Sequence, residues 1–372
     1  MKYRTLGKTN LIVSEIGLGC EHLDRKPYEQ VKETIDAALK NGINFLDCFM
    51  PGTEIREHIA KSLGDKRKDV IIQGAICSTD LKQQYDISRD IATVKKYFEE
   101  MLRIFGYVDI AMLFIIDNDQ HIEDVFKSEI LDYALELKQK GDIRHLGFSS
   151  HDPIAAKKVI ETDIPEVMFF SLNPAFDMMP PDTETIKQVF EGFEPSLMSG
   201  IDPARADLYK ICEQKDIGIV AMKTLGGGKL VSAEHTPFTK PMTPQQCVHY
   251  ALTRPAVASA MLGCQTGAEV EDAMKYFTVS DAERDYAEIM GSVRNDFRGS
   301  CVYCGHCQPC PVNIDIAAVM KQLDMAGLNS DAPGSYKQLI TAGNDCIGCG
   351  SCEERCPFGV PVQERLKSAN LK

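Results

Sequence analysis

Eight of the fourteen cysteines in this 372-residue sequence fall in two short bursts: Cys301, Cys304, Cys307 and Cys310 before Pro311, and Cys346, Cys349, Cys352 and Cys356 before Pro357. Two-residue gaps let successive thiolates wrap one small inorganic centre, while a fourth cysteine beside a proline can turn toward a different one. The pattern reads as two [4Fe-4S] clusters with exchanged ligands. Cys356 would complete the set Cys301, Cys304 and Cys307, and Cys310 would complete Cys346, Cys349 and Cys352. The first burst has two residues before its last cysteine where the bacterial pattern has three. Two zinc sites would also take eight thiolates, but zinc-binding pairs are usually separated by a longer loop, and the prolines would have no role. Disulfides are disfavoured because no export segment opens the sequence, and the expected compartment is the reducing cytoplasm.

The other six cysteines divide by position. Cys20, Cys48, Cys77 and Cys264 each follow a predicted strand, whereas Cys212 and Cys247 sit in helical patterns. Four strand-end thiols, with His22 and His151, could meet on one rim and bind a soft metal, a further cluster or a thiol-reactive substrate. Small buried hydrophobes are the plainer alternative.

The elements that would position these groups follow a strand-then-helix cadence. Strands are predicted at Ile16–Leu18, Ile43–Leu46, Val70–Ile72, Asp109–Phe114, Ile143–Phe148, Glu166–Phe170, Ile217–Ala221 and Val257–Leu262. Helical patterns lie near residues 28–40, 54–63, 87–104, 121–139, 153–161, 203–215, 244–252 and 267–276. Asn41-Gly42, Lys140-Gly141 and Lys215-Asp216 suit helix ends, and Asp152-Pro153 suits a helix start. Eight such units predict an α/β fold, a (β/α)8 TIM barrel. An alternation around Gly7 predicts a small hairpin before it. The longest interruption, Asn173 to Asp202, would cover the barrel mouth or pack against the cysteine-rich part. Residues 280–298 and Ile314 to Ala326 read as helical. The division is residues 1–295 as barrel and 296–372 as a small α-helical ferredoxin-like domain carrying the clusters.

The stretches Tyr3 to Gly19, Gly42 to Asp47, Ile143 to Ser149, Gly218 to Leu230 and Val257 to Gly263, in this order and spacing, resemble the aldo-keto reductase family, in particular its members with a C-terminal domain of two [4Fe-4S] clusters. That resemblance implies hydride transfer from NADPH to a carbonyl, using an Asp, Tyr, Lys and His group at the barrel mouth. Asp47 matches the aspartate. The tyrosine is missing from the short segment after it, Ala75 stands at the lysine position, and Phe114 or Ile115 at the histidine position. Tyr28, Tyr85 and Tyr107 could occupy nearby space, but none is at the right place in sequence. A positioned acid contributes roughly 10² to 10⁴-fold to a proton-transfer step, so ordinary carbonyl reduction is not expected here.

Asp47 remains the leading candidate for base, metal ligand or substrate anchor, with helix capping as its alternative. His151 is second, for proton transfer or phosphate and carbonyl binding, with a cap for the helix near Pro153 as its alternative. Gly226, Gly227 and Gly228, with Lys223, could cradle a dinucleotide phosphate or could simply turn the strand into its helix. By resemblance Phe169 and Met222 take the places of the family's glutamine at the end of strand six and aromatic at the end of strand seven, where nicotinamide stacks; either could contact a flat ligand, with simple packing as the commoner alternative. NADP(H) or NAD(H) is left open, because the segment from Gly263 to Met274 lacks the usual arginine and carries Glu269, Glu271 and Asp272, which would oppose a 2′-phosphate if they face it.

A formal charge of −13 disfavours nucleic acid and anionic membranes as partners, and no apolar run reaches the roughly 20 residues of a membrane span. The expected function is an iron–sulfur oxidoreductase moving electrons to or from a small-molecule substrate or bound redox cofactor, with a soluble electron-transfer protein as a further partner. The alternatives are a non-enzymatic electron-transfer or docking protein, and an NADPH-dependent carbonyl reductase with displaced catalytic residues.

Overall fold

The structure is a computed structural model that describes residues 1–81, 84–181, 191–292, 298–326 and 345–369. Tyr3–Thr5 (β1) and Ile12–Ser14 (β2) pair antiparallel, as the alternation predicts. Between them Gly7 has φ +48°, and a Cβ there would lie 2.3 Å from the Gly218 amide nitrogen. Only glycine lets the hairpin close the barrel floor this tightly. Leu6 and Val13 then enter the barrel interior beside Phe45, Ile110, Val167, Val220 and Ala258.

The barrel strands are Ile16–Gly19 (β3), Phe45–Asp47 (β4) and Ile71–Ile76 (β5) and, after the short pair Ser78–Thr79 (β6) and Asp86–Ile87 (β7), Val108–Leu113 (β8), Ile143–Ser150 (β9), Val167–Ser171 (β10), Gly218–Met222 (β11) and Val257–Leu262 (β12). They are parallel and close in the order β3-β4-β5-β8-β9-β10-β11-β12. β5 continues past the expected Ile72, because Gln73 to Ile76 pair with Ile110 to Leu113.

The helices around it are Tyr28–Lys40 (α1), Thr53–Leu63 (α2), Ile91–Phe105 (α3), Asp119–Phe126 (α4), Glu129–Lys140 (α5), Pro153–Ile160 (α6), Pro174–Asp177 (α7), Pro203–Gln214 (α8), Pro244–Thr253 (α9) and Gly267–Met274 (α10). Two differ from the expectation. The helix near 121–139 is two helices, because Asn118 accepts from the His121 amide at 2.8 Å and Ser128 from the Ile130 amide at 3.2 Å, each starting its own helix. The helix near 87–104 starts later, after the β6–β7 pair, where Asp90 caps it by accepting from the Thr93 amide at 2.9 Å.

Beyond the barrel come Asp281–Arg284 (α11), Ala287–Gly291 (α12), Ile316–Ala326 (α13), Ser351–Arg355 (α14) and Val362–Ala369 (α15). The expected join at 295/296 lies outside the described residues, as do 182–190 of the long interruption. The described part of that interruption packs inward: Met178, Met179 and Met198 are buried, and the Phe193 ring lies 5.5 Å from that of Phe176.

Candidate functional site

The C-terminal ends of the barrel strands surround a cleft of about 650 Å³. Asp47 ends β4 in this cleft and is 3% exposed. Gln73, its register partner on β5, donates from Nε2 to Asp47 Oδ1 at 3.0 Å. Burial pushes the Asp47 carboxyl up to about 7; the Gln73 amide opposes this and Glu21 adds to it, while Lys223 opposes it further. The other oxygen-bearing end of the Gln73 amide, Oε1, is buried with no hydrogen-bond partner among the described residues.

His151 also lines the cleft. Its Nδ1 lies 2.9 Å from Asp117 Oδ2, and its amide donates to Asp117 Oδ1 at 2.6 Å. Burial alone would raise the Asp117 carboxyl, but the charge and hydrogen bonds of His151 hold it below its usual value. Asp117, like Gln73, was not picked out from the sequence; nothing in its neighbourhood marks it until β9 brings His151 across. The imidazole does not cap α6. Asp152 does, accepting from the Ala155 amide at 2.6 Å.

Of the remaining expected groups, Met222, Phe169, Lys223, Gly227 and Gly228 line the cleft, whereas Gly226 lies behind the loop, facing Leu230 and Phe193. Asn173 donates to the Lys223 carbonyl at 2.9 Å and fixes that residue in its left-handed conformation, φ +56°. Thr224, between these groups, is 1% exposed, and its Oγ1 has no partner among the described residues. Glu269 and Asp272 face the cleft, while Glu271 turns away to Asn41.

The rim thiols separate. Cys48 and Cys20 are buried with sulfurs 4.0 Å apart, and the Cys48 hydrogen bond, followed by burial, pushes the Cys20 thiol well up. Cys264 reaches the cleft, where burial and then Glu269 push its thiol up to about 12. Cys77 turns aside to Arg89, and Cys212 and Cys247 are wholly buried. Buried, protonated thiols of this kind are poor nucleophiles.

The two cysteine bursts lie side by side. A second, small cavity is lined by Cys310 together with Cys346, Cys349 and Cys352. Cys356 lies close enough to Cys301 and Cys307 to act on them electrostatically, and Cys352 does the same to Cys307, so the two sulfur groups are neighbours. Arg355 donates to the Cys307 and Pro309 carbonyls at 2.7 Å each, tying α14 to the first burst.

Residues 15–246, more than half of the chain, match the model of the Aldo/keto reductase family, and residues 299–360 match a 4Fe-4S dicluster domain. The chain belongs to the aldo/keto reductase family. It is an oxidoreductase of that family with a 4Fe-4S dicluster domain at its C-terminus. A Bacillus subtilis relative, named as the uncharacterized oxidoreductase YqkF, is 26% identical over 305 residues, covering 76% of this chain and 92% of its own. The aldo-keto reductase AKR11C1 of Bacillus halodurans shares the fold. Its holo form has a TM-score of 0.59 at 19% identity, over 78% of this chain and 96% of that one. Its apo form gives 0.52 at 19% identity, over the same shares.

Within this aldo/keto reductase barrel only one of the three nearby tyrosines reaches the cleft. Tyr85 lines it, meeting Phe49 and Phe114 edge to face with ring centroids 5.2 and 6.1 Å away. Tyr28 lies under Lys61, and Tyr107 lies between Arg67 and Arg144. Burial and Glu21 raise the Tyr85 hydroxyl above its usual value, the opposite of what an acid catalyst needs.

The cysteines fit iron–sulfur clusters better than single ions. A tetrahedral zinc with Zn–S of about 2.3 Å draws its four sulfurs to about 4 Å from one another. Among the described residues no group of three or more His, Cys, Asp or Glu side chains is placed to hold one metal ion. Cys310, Cys346, Cys349 and Cys352 line one cavity together, and a donor set of four thiolates suits a cubane. Among the described residues no helix is long and apolar enough to cross a membrane.

Proposed function

We propose that this aldo/keto reductase is an iron–sulfur oxidoreductase in which two [4Fe-4S] clusters exchange single electrons with a small redox molecule at the barrel mouth, without tyrosine-dependent carbonyl reduction. One cluster uses Cys301, Cys304, Cys307 and Cys356, the other Cys310, Cys346, Cys349 and Cys352. The observation that carries this reading is Cys310, from the first burst, lining one cavity with three cysteines of the second. Such clusters supply one-electron transfer. The division into residues 1–295 and 296–372 belongs to the same proposal.

The helix α9 links the two parts. Pro244, Gln245 and Val248 on it line the cleft, and Arg254, which follows its last residue, touches Val302 between Cys301 and Cys304. From Val248 to Arg254 is on the order of 10 Å along the helix axis.

The cleft suits a dinucleotide. Phe49, Phe114, Phe169 and Met222 offer apolar faces for a flat ring, and Lys223, the unpartnered Thr224 hydroxyl and the Gly227–Gly228 turn offer donors for a phosphate. Gly228 has φ +85° and open space where a side chain would stand. At the far end the Glu269 and Asp272 carboxylates oppose a 2′-phosphate, which favours NAD(H) over NADP(H).

Oxidation of a two-electron donor by one-electron carriers also releases a proton. Asp47, with a pKa of about 7, is half ionised near neutrality and is placed to take it. His151, held by Asp117, orients a polar group of the bound molecule.

Anaerobic purification with iron and sulfide analysis, and a visible spectrum before and after NADH or NADPH, tests the reading. The expected result is about eight irons and eight sulfides per chain, with the cluster absorbance bleached by NADH. Two zinc ions with no inorganic sulfide would overturn it.

A further inference from the structure

Arg254 is 2% exposed, and all of its acceptors among the described residues are neutral. Its Nε donates to the Tyr250 carbonyl at 3.3 Å, and its Nη2 to Thr253 Oγ1 at 3.1 Å, to the Tyr286 hydroxyl at 3.0 Å and to the Val302 carbonyl. The guanidinium also lies over the Tyr303 ring, 5.0 Å from its centroid. Asp177, whose charge also reaches it, makes no hydrogen bond to it among the described residues and is bonded to Arg205, Tyr209 and Tyr250. A guanidinium this deeply buried without a carboxylate is strongly unfavourable unless some other negative charge faces it.

Val302 and Tyr303 are the two residues between Cys301 and Cys304. The cation therefore sits directly behind the loop that would hold the cluster nearer the barrel, and Tyr286 braces the same carbonyl by donating to it at 2.8 Å. Four thiolates around a [4Fe-4S] core leave a net negative charge that grows by one on reduction, and a cation in a low-dielectric site favours that added charge.

We propose that Arg254 is the counter-charge of the cluster bound by Cys301, Cys304, Cys307 and Cys356, and that it raises the reduction potential of this cluster above that of the other. Reduction adds one electron to the cluster and moves no proton, because Arg254 stays charged throughout. The electron then rests preferentially beside the barrel, at the α9 end of the route to the cleft. The inference rests on the cysteines being cluster ligands.

Anaerobic redox titration followed by electron paramagnetic resonance tests it on the full-length, cluster-loaded protein. Arg254→Gln and Arg254→Met should lower one of the two midpoints by at least a ten-fold change in the reduced-to-oxidised ratio, about 59 mV for one electron, and leave the other in place. Arg254→Lys, which keeps the charge, should restore most of the wild-type midpoint. Thr253→Asp sets a carboxylate against the guanidinium without removing it and should lower the same midpoint, so a failure of the Arg254 variants to accumulate does not leave the question undecided. Unmoved midpoints in any charge-removing or charge-pairing variant that retains its iron and sulfide overturn the role of Arg254. Wild-type protein without iron and sulfide overturns the cluster reading itself.

Discussion

Gln73 stands opposite Asp47 on the neighbouring barrel strand and donates its side-chain amide to that carboxylate at 3.0 Å. The resemblance places a lysine two residues further along β5, where this chain has Ala75. A neutral amide compensates a buried carboxylate less than an ammonium does, so burial prevails and the carboxyl sits at about 7.

Asp47 should therefore make the fold less stable as pH rises. The folded protein holds its proton where the unfolded chain has released it, so the stabilisation is complete below about pH 4 and is lost as pH rises through about 7. Relative to Asp47→Asn, wild type should lose on the order of 4 kcal/mol across that window. Urea denaturation of both proteins at a series of pH values measures it; parallel curves would show an ordinary carboxyl.

Cys310 and Cys349 should behave as ligands of one centre, and Cys304 and Cys356 as ligands of the other. Each alanine substitution is expected to remove about half of the iron and sulfide. Combining Cys310→Ala with Cys349→Ala should remove no more than either alone, whereas Cys310→Ala with Cys356→Ala should remove nearly all. Iron and sulfide counts on the double variants decide between exchanged ligands and two self-contained bursts.

Tyr85→Phe should leave electron transfer from NADH to the clusters within about two-fold of wild type, measured by stopped-flow bleaching. An acid catalyst at this position would instead show a loss of roughly 10² or more. The raised hydroxyl and its aromatic surroundings favour the first outcome.

Thr224→Val replaces a buried hydroxyl that has no partner among the described residues with a methyl of the same shape. Stability should be unchanged or up to about 1 kcal/mol higher. Dinucleotide affinity should fall about three- to twelve-fold, the equivalent of one hydrogen bond. Thermal denaturation without nucleotide and calorimetric titration with NADH separate the two effects, and unchanged affinity would place the phosphate elsewhere.

The sequence by itself determined the barrel and the grammar of the cysteines, because both are written in short-range spacing. A strand or helix shows in a few residues, and two-residue gaps between thiolates need no distant partner to be read. Even the break at Ser128 was present as a capping residue inside an otherwise helical pattern. Closure of the barrel decided the rest. It set Gln73 beside Asp47 and Asp117 beside His151, turned Cys77 away from Cys20 and Cys48, and brought Arg254 behind the Cys301 loop. Those relations join residues on different strands and helices, and their energies come from burial and from partners met only after the chain has closed on itself, which no local pattern records.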